Sequence, residues 1–482
     1  MTGPRALLTR KRRNYAEPNI SWDAPMKILI LGAGQIGSNL AEHLVQEGHD
    51  ITVVDTAYAL LDELSTSLDI RTVAGKASHP SVLRDAGCDD TDILIAVTNS
   101  DEINMLACEV ANAIFRTPTK VARIRDKDYL GQEALFSSKA IPVDVIISPE
   151  QLVTDSIYRL FEYPGALQVL DFADGRVQLV AVKAIEGGPL INKELATIGQ
   201  HLPDVKTRVA AIYRQGAAII PHGDTVIEED DEVFFLASRQ DTRTVMQELG
   251  KAEQGYRRVV IAGGGNVGER LAEKLEGSHQ VKIIEANETR CHYLAERLSR
   301  AVVLHGRATR KRLLEEENIE DCDIFCALTN SDEDNIMSSL LAKRLGAHKV
   351  LTLITDPAYV ELIQGGDIDV ALSPQQITIG SILAYIRRGD MTRAYSLRRG
   401  AAEAIEAVAH GDARSSRLVG CRLDDLKMPE GVTIGAIIRG DEVIMEHHDA
   451  SIEPDDHLIL FLTDKRRLHD VERLFQVGVS YF

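Results

Sequence analysis

The chain repeats itself, so whatever it folds into must hold the same architecture twice. Residues 27–37 read KILILGAGQIG and residues 258–268 read RVVIAGGGNVG, while VTNSDEIN at 97–104 returns as LTNSDEDN at 328–335. Gly32 and Gly263, Gly75 and Gly306, and Asn99 and Asn330 are all 231 positions apart. Farther along, VDVIISPEQ at 143–151 returns as IDVALSPQQ at 368–376, and IEEDDEVFFL at 227–236 as IEPDDHLILF at 452–461, both at an offset of 225. Two constant offsets over separated motifs describe a duplicated unit of some 225–230 residues with a small net deletion in the second copy.

Each unit divides again. Its first part alternates short Val/Ile/Leu runs with segments of helical apolar spacing, the pattern of βαβ units on a parallel sheet. In the first copy the strands are expected near 27–31, 51–54, 70–73, 92–96, 120–124 and 143–146, with helices such as Gln35–Gln46 and Ile103–Phe115 between them. The last part carries alternating strands, QLVAVKA at 178–184 and EVFFLAS at 232–238, broken by Gly-, Pro- and Asp-rich turns. The expected fold is α/β: tandem Rossmann-like, doubly wound parallel sheets, each followed by a small α+β domain. The boundaries fall at 26–148 and 257–374 for the nucleotide domains and at 165–250 and 396–478 for the small ones. Residues 1–25, with Arg5, Arg10, Lys11, Arg12, Arg13 and two prolines, read as a basic disordered tail or as an upstream start, since Met26 directly precedes the first strand.

Charge and apolar run length narrow the function. The net charge of −19 argues against a nucleic-acid partner and against adsorption to anionic lipid. The longest apolar runs, such as Ile28–Leu31 and Ile93–Val97, are strand-sized, so no membrane insertion is expected and a membrane role has to come through a partner. The six cysteines, Cys88, Cys108, Cys291, Cys322, Cys326 and Cys421, form neither a CxxC pair nor a zinc ladder, and no metal site is expected. Packed thiols in a reducing compartment account for them.

GAGQIG at 32–37 follows a strand and opens a helix, the context in which a GxGxxG has a mechanism. Gly32 permits the tight turn, Gly34 lets a pyrophosphate approach the backbone, and Gly37 lets the helix pack on the sheet, with Gln35 and Ile36 presenting helix N-terminal amides. Asp55 ends the second strand, where a carboxylate accepts from both ribose hydroxyls and repels a 2′-phosphate, favouring NAD or NADH over the phosphorylated form. The second copy supplies Gly263, Gly265, Asn266, Val267 and Gly268, with Glu285 in the place of Asp55. Thr98, Asn99, Thr329 and Asn330 follow the fourth strands, where they either contact ligand or belong to a helix N-cap in which Asn or Ser opens the next helix and Asp/Glu occupy its first turn. Gly75 and Gly306 end the third strands, where a missing side chain lets adenine approach. Arg123, and beside it Arg125, is placed either to neutralise phosphate or to form a surface ion pair.

Together these segments resemble the regulatory RCK (or KTN) domains of potassium transport, and most closely the TrkA family, peripheral subunits of Trk potassium-uptake systems. The resemblance is carried by MKILILGAGQIG, ITVVD, TNSDEIN, YPGALQVLDFADG (163–175), RRGD (387–390) and SLRRGAAEAIE (396–406), and it spans residues 26–482. It implies a cytoplasmic regulatory protein, peripheral on the inner face of the plasma membrane. It also implies a homo-oligomeric ring, dimer or tetramer, on a Trk-type potassium-translocating subunit, with NAD(H), or ATP or ADP at the same sites, biasing the pore. The helices after Ser148–Pro149 and Ser373–Pro374 are then crossovers between nucleotide and small domains.

Two other classes stay open at this level. An NAD-dependent oxidoreductase needs an acid or base beside the nicotinamide, whereas His201, His222, His410, His447 and His448 are scattered at polar, turn-like positions. A nucleotide or ion sensor for a different transporter is the third reading. In that case the paired acids Asp230–Asp231 and Asp455–Asp456 are the candidate cation ligands, although acidic β-turns are commoner.

Overall fold

A computed structural model describes residues 25–137, 140–250, 255–356, 358–359, 363, 366–386, 391–397, 402–445, 450–464 and 467–475. The tail through residue 24, the RRGD segment at 387–390, residues 398–401 of SLRRGAAEAIE, and His447 and His448 lie outside them.

The first six strands are β1 (Lys27–Leu31), β2 (Asp50–Asp55), β3 (Arg71–Ala74), β4 (Ile93–Ala96), β5 (Thr119–Arg123) and β6 (Val145–Ile147). They form one parallel sheet in the order β3-β2-β1-β4-β5-β6, which reverses direction between β1 and β4. Helices cover both faces, which is why Leu29, Ile30 and Leu31 are all fully buried and the strand reads as an unbroken apolar run. A five-stranded antiparallel sheet follows, built from β7 (Ala166–Phe172), β8 (Val177–Lys183), β9 (Thr207–Arg214), β10 (Ala217–Ile219) and β11 (Glu232–Ser238).

The second half repeats both. Strands β12 (Arg258–Ala262), β13 (Gln280–Glu285), β14 (Val302–His305), β15 (Ile324–Ala327), β16 (Lys349–Leu353) and β17 (Val370–Leu372) take the order β14-β13-β12-β15-β16-β17. Strands β18 (Met391–Leu397), β19 (Ala402–Ala409), β20 (Val432–Arg439), β21 (Glu442–Ile444) and β22 (Asp456–Leu462) form the second small sheet. Helix Gln35–Gln46 spans the residues that the periodicity marks, whereas the helical stretch expected at Ile103–Phe115 begins two residues earlier, at Asp101, and ends in a π-turn over Ala111–Phe115.

The halves are interlocked by helix exchange. The first crossover helix, Pro149–Glu162, buries Val153, Ile157 and Leu160 against Leu271, Ala272 and Leu275 of the second nucleotide domain. The second, Pro374–Ile386, returns the exchange by burying Ile379, Ile382, Leu383 and Ile386 against Leu40, Ala41 and Leu44 of the first. Polar contacts fix the register: Arg270 donates to Gln151 Oε1 at 3.0 Å, and Asn39 donates to Gln375 Oε1 at 2.9 Å.

The small sheets pack on one another in the same way, Phe172, Phe234 and Leu236 facing Ile459 and Phe461. The buried Glu406 carboxylate accepts from Ala173 N–H across this seam at 2.9 Å, and Tyr395 Oη donates to Asp171 O at 2.9 Å. Ala173 itself has a left-handed φ of 48°. The glutamate thus holds a turn whose backbone an alanine resists.

Cys88, Cys108, Cys322 and Cys326 are buried, while Cys291 and Cys421 are half-buried. Burial pushes the Cys108 and Cys322 thiols up to about 12 and Cys326 well above its ordinary value. Because the thiolate is the reactive form, a maleimide at neutral pH is expected to label Cys421 and Cys291 in the native protein and the other four only on unfolding. Rapid native labelling of Cys108, followed by mass spectrometry, would contradict the packing described here.

Candidate nucleotide-binding cleft

The glycine turns have the geometry that the spacing demands. Gly32 has φ +111°, and a Cβ there would lie 3.1 Å from the Thr98 backbone. A Cβ on Gly37 would lie 1.9 Å from Gly32 O, so the first helix can start against the turn only if this residue has no side chain. Gly34 is the opposite case, since a Cβ there meets nothing within 4 Å. Its missing side chain leaves room in the cleft and serves no packing within the protein. The second copy repeats all three: Gly263 has φ +104°, Gly268 would place Cβ 2.0 Å from Gly263 O, and Gly265 faces open space.

Asp55 holds the turn as well as facing the cleft. Its Oδ2 accepts from Ala33 N–H at 2.7 Å and its Oδ1 from Ala57 N–H at 2.8 Å. Glu285 does the same through Gly264 N–H at 2.8 Å and Asn287 N–H at 2.7 Å.

Around the first turn lies a cavity of ≈ 670 Å³. Its wall gathers Gly32, Gly34, Gln35, Ile36, Asp55, Gly75, Thr98, Asn99 and Arg123; Gly37 serves from behind. It opens at the carboxyl ends of the strands, at the β1/β4 reversal, the usual ligand position in such sheets.

The structure adds detail at three places. Gly75 lines the cavity, and a Cβ on it would also strike Val82 Cγ2 at 2.6 Å, so packing calls for a glycine here as well. Gly306 stands likewise against Leu313 Cδ2 at 2.7 Å. The helix caps are Ser100 and Ser331, which accept from Ile103 N–H and Asp334 N–H, while Thr98 and Thr329 are tied to Asn104 and Asn335. Arg125 is engaged with Asp101 at 3.2 Å, the ion-pair alternative.

Arg123 differs from Arg125. It lines the cavity with its Nη2 3.9 Å from Glu150 Oε1. Its Nε and Glu150 Oε2 are buried with no hydrogen-bond partner among the described residues. Burial holds the Arg123 guanidinium below its ordinary pKa, partly offset by Glu150.

Sequence reasoning did not find the residues that reach this cavity from the other half. Val267, placed by sequence in the second site, lines the first cavity, as do Thr355, Pro374, Gln375 and Thr378. Pro374, Gln375 and Thr378 arrive on the exchanged crossover helix, for which a linear motif has no signal. Glu150 did leave one, since the repeat aligns ISPEQ with LSPQQ and so sets this carboxylate against Gln375.

The second cleft has the same frame and a different filling. Strand pairing sets Arg123 level with Leu353, because Thr119 pairs with Ile93 as Lys349 pairs with Ile324. Lys76 and Ile103, both on the first cavity's wall, correspond to Arg307 and Asp334, which bond to each other at 2.9 Å across the equivalent space. Ser38 corresponds to Glu269, a buried carboxylate contacted by Arg290, by Arg297 at 3.2 Å and by Lys127 of the first domain at 3.3 Å. Burial works to raise the Glu269 pKa, but these hydrogen bonds and charges win and hold it below the usual value.

The acidic turns are occupied by arginine. Asp231 receives Arg214 Nε and Nη2 at 2.9 Å each, and Asp456 receives Arg439 at 2.9 and 2.8 Å. Each carboxylate also caps its own turn, so these residues are bidentate ion pairs inside β-turns. No helix among the described residues is long and apolar enough to cross a membrane.

Two family models match the chain, each of them twice. The TrkA-N domain model matches residues 28–149 and 259–374, and the TrkA-C domain model matches 179–250 and 413–476. A protein of Halomonas elongata, described as Trk system potassium uptake protein TrkA, is 66% identical over 457 residues, 95% of this chain and 100% of that one. One of the same description from Vibrio alginolyticus is 56% identical, covering 94% of this chain and 99% of its own length. Among solved structures, the GsuK RCK domain superposes with TM-score 0.59 at 18% identity, over 94% of this chain and 96% of that one. The GsuK channel bound to NAD gives 0.60 at 17%, over 94% and 80%, and both show the shared fold. With both domain models matched twice in order, and full-length relatives at this identity, the chain belongs to the TrkA family.

Proposed function

We propose that this protein is the cytoplasmic regulatory subunit of a Trk-type potassium-uptake system, binding NAD(H), or ATP or ADP, in the first cleft and gating its membrane partner through a change in ring shape. The observation that carries this reading is the 66% identity over essentially the whole of both chains to a protein described as a potassium-uptake component. The cleft supports the ligand: a glycine turn, a helix N-terminus and Asp55 in one wall are the groups that hold pyrophosphate and ribose. The proposed contacts in the second copy are Gly263, Gly265, Asn266, Gly268, Glu285, Gly306, Thr329 and Asn330, with the first cleft the principal site. There the Arg307–Asp334 pair has no counterpart.

Assembly into a homo-oligomeric ring is supported by exposed apolar side chains on the helix after β4 and its π-turn, Leu106 and Ile114, and by Met337, the counterpart of Leu106 in the second half, which is 59% exposed. Large exposed apolar side chains suit association. Because the first cleft draws residues from both halves, a ligand there contacts both at once. It shifts their equilibrium to the extent that it binds one arrangement more tightly than the other.

The oxidoreductase alternative is less well supported, since the relatives that match this chain from end to end are described as potassium-uptake proteins. The test is potassium uptake at limiting external potassium in source cells lacking the gene, restored with residues 26–482. Loss of uptake and its recovery are expected. Unchanged uptake in a strain without other potassium systems would move the reading to a sensor of a different transporter.

A further inference from the structure

The part of the first cavity wall that carries Thr98 and Asn99 is held from the second half of the chain. After β4 the segment from Thr98 to Asp101 leans on Arg125, two residues past β5. Asp101 is buried and accepts from Arg125 N–H at 2.8 Å and from Arg125 Nε at 3.2 Å, while Arg125 Nη2 donates to Asn99 O. Arg125 is held in turn through its own carbonyl, which accepts from Arg270 Nη2 at 2.9 Å. Arg270 lies two residues past Gly268, in the helix Asn266–Leu275 that starts against the second glycine turn. Lys127 ties the same stretch to the same helix, pairing with Glu269 at 3.3 Å and with Glu273 at 2.8 Å.

A buried arginine is a poor source of stability at such a seam. The Arg270 Nε has no hydrogen-bond partner among the described residues, and desolvation of a guanidinium opposes what its bonds return. What Arg270 supplies is geometry. Its planar fork spans Arg125 O and, from Nη1 at 3.0 Å, Gln151 Oε1 of the first crossover helix, so it sets the separation of two elements. Resting on the first cleft being a nucleotide site, we infer that Arg270 is a positioning residue for that cleft. It is not on the cavity wall, and it acts through Arg125 by fixing the Thr98–Asp101 segment against the helix of the second glycine turn. The second turn thereby has a task that needs no ligand of its own, which suits a cleft crossed by the Arg307–Asp334 pair. The device is one-sided, because Asn39 and Thr355 stand in the equivalent places and neither carries a guanidinium to make the bridge.

The parent for the test is the full-length chain carrying Gly265→Ala. A methyl group there meets no protein atom within 4 Å and obstructs only a ligand in the second turn, which leaves the first cleft to report. NADH affinity is read by fluorescence titration and stability by thermal melts on the same samples. Arg270→Met, which fills similar space without donors, is expected to lower the affinity about tenfold, the usual size for a lost hydrogen bond from a charged group. Lys274→Met is the control, since it lies in the same helix and at the same seam but its partner Asp155 is off the cavity wall. It should keep the parent affinity whatever it does to the melting temperature. Affinity lost in both variants in step with the melting temperature would leave Arg270 a merely structural role and overturn the inference, as would parent affinity in Arg270→Met. Should the methionine variant not fold, Arg270→Lys keeps the charge without the fork; a loss of about threefold or more is expected, and unchanged affinity overturns the inference. Absence of NADH binding to the unmodified chain would instead remove the nucleotide reading of the cleft, and this role with it.

Discussion

Gly37→Val is expected to lower the affinity of the first cleft for NADH by about a hundredfold or more, equivalent to about 2.7 kcal/mol. The cause is steric. A Cβ at this position lies 1.9 Å from Gly32 O, far inside contact distance, and the obstacle is backbone, which cannot rotate away. The helix must shift off the turn, and the amides of Gln35 and Ile36 then no longer face the pyrophosphate. Gly34→Ala separates packing from ligand contact, since its Cβ meets no protein atom within 4 Å. Its melting temperature should match wild type while its affinity falls, because the only thing the new methyl group can meet is the ligand. Fluorescence titration with thermal melts on the same samples decides the matter. Wild-type affinity in a folded Gly37→Val variant would mean that the turn does not carry the phosphate.

Ile382→Ala is expected to cost about 2–5 kcal/mol, the usual range for emptying a fully buried aliphatic site. The more telling result is where that loss is felt. Ile382 belongs to the second half by sequence, yet its side chain is fully buried among Leu40, Ala41 and Leu44 of the first nucleotide domain. Hydrogen exchange should therefore quicken in helix Gln35–Gln46 and strand β1, more than 300 residues away in the chain. Ile157→Ala is the mirror case, loosening helix Asn266–Leu275. If the quickening in each variant stays within its own half, the helix exchange is wrong. Such an exchange makes the two halves one cooperative body and gives a ligand in the first cleft a mechanical hold on both.

Much of the site was legible because its chemistry is local. The turn needs Gly32, Gly34 and Gly37 at fixed spacing, and Asp55 must end the neighbouring strand, so those requirements are written within 24 consecutive residues. Gly75 was legible as a required glycine, but its packing against Val82 was not, since only the structure brings that side chain over it. The two copies also looked equivalent because their glycines and acids repeat. Their difference lies in Lys76 against Arg307, Ile103 against Asp334 and Ser38 against Glu269, and its meaning appears only when those side chains meet.

The duplication, the parallel sheets and the glycine turns can be read from the chain alone, because periodicity and backbone sterics act over short stretches. The tertiary structure alone decided which half each crossover helix completes, which residues close the first cavity and which carboxylates are already taken by arginine. An apolar stripe such as Ile379, Ile382, Leu383 and Ile386 specifies that it must be buried, but hydrophobic burial has no direction and names no partner. The partner is fixed by shape and by a few polar contacts, Asn39 with Gln375 and Arg270 with Gln151, between residues that only the folded chain brings within reach.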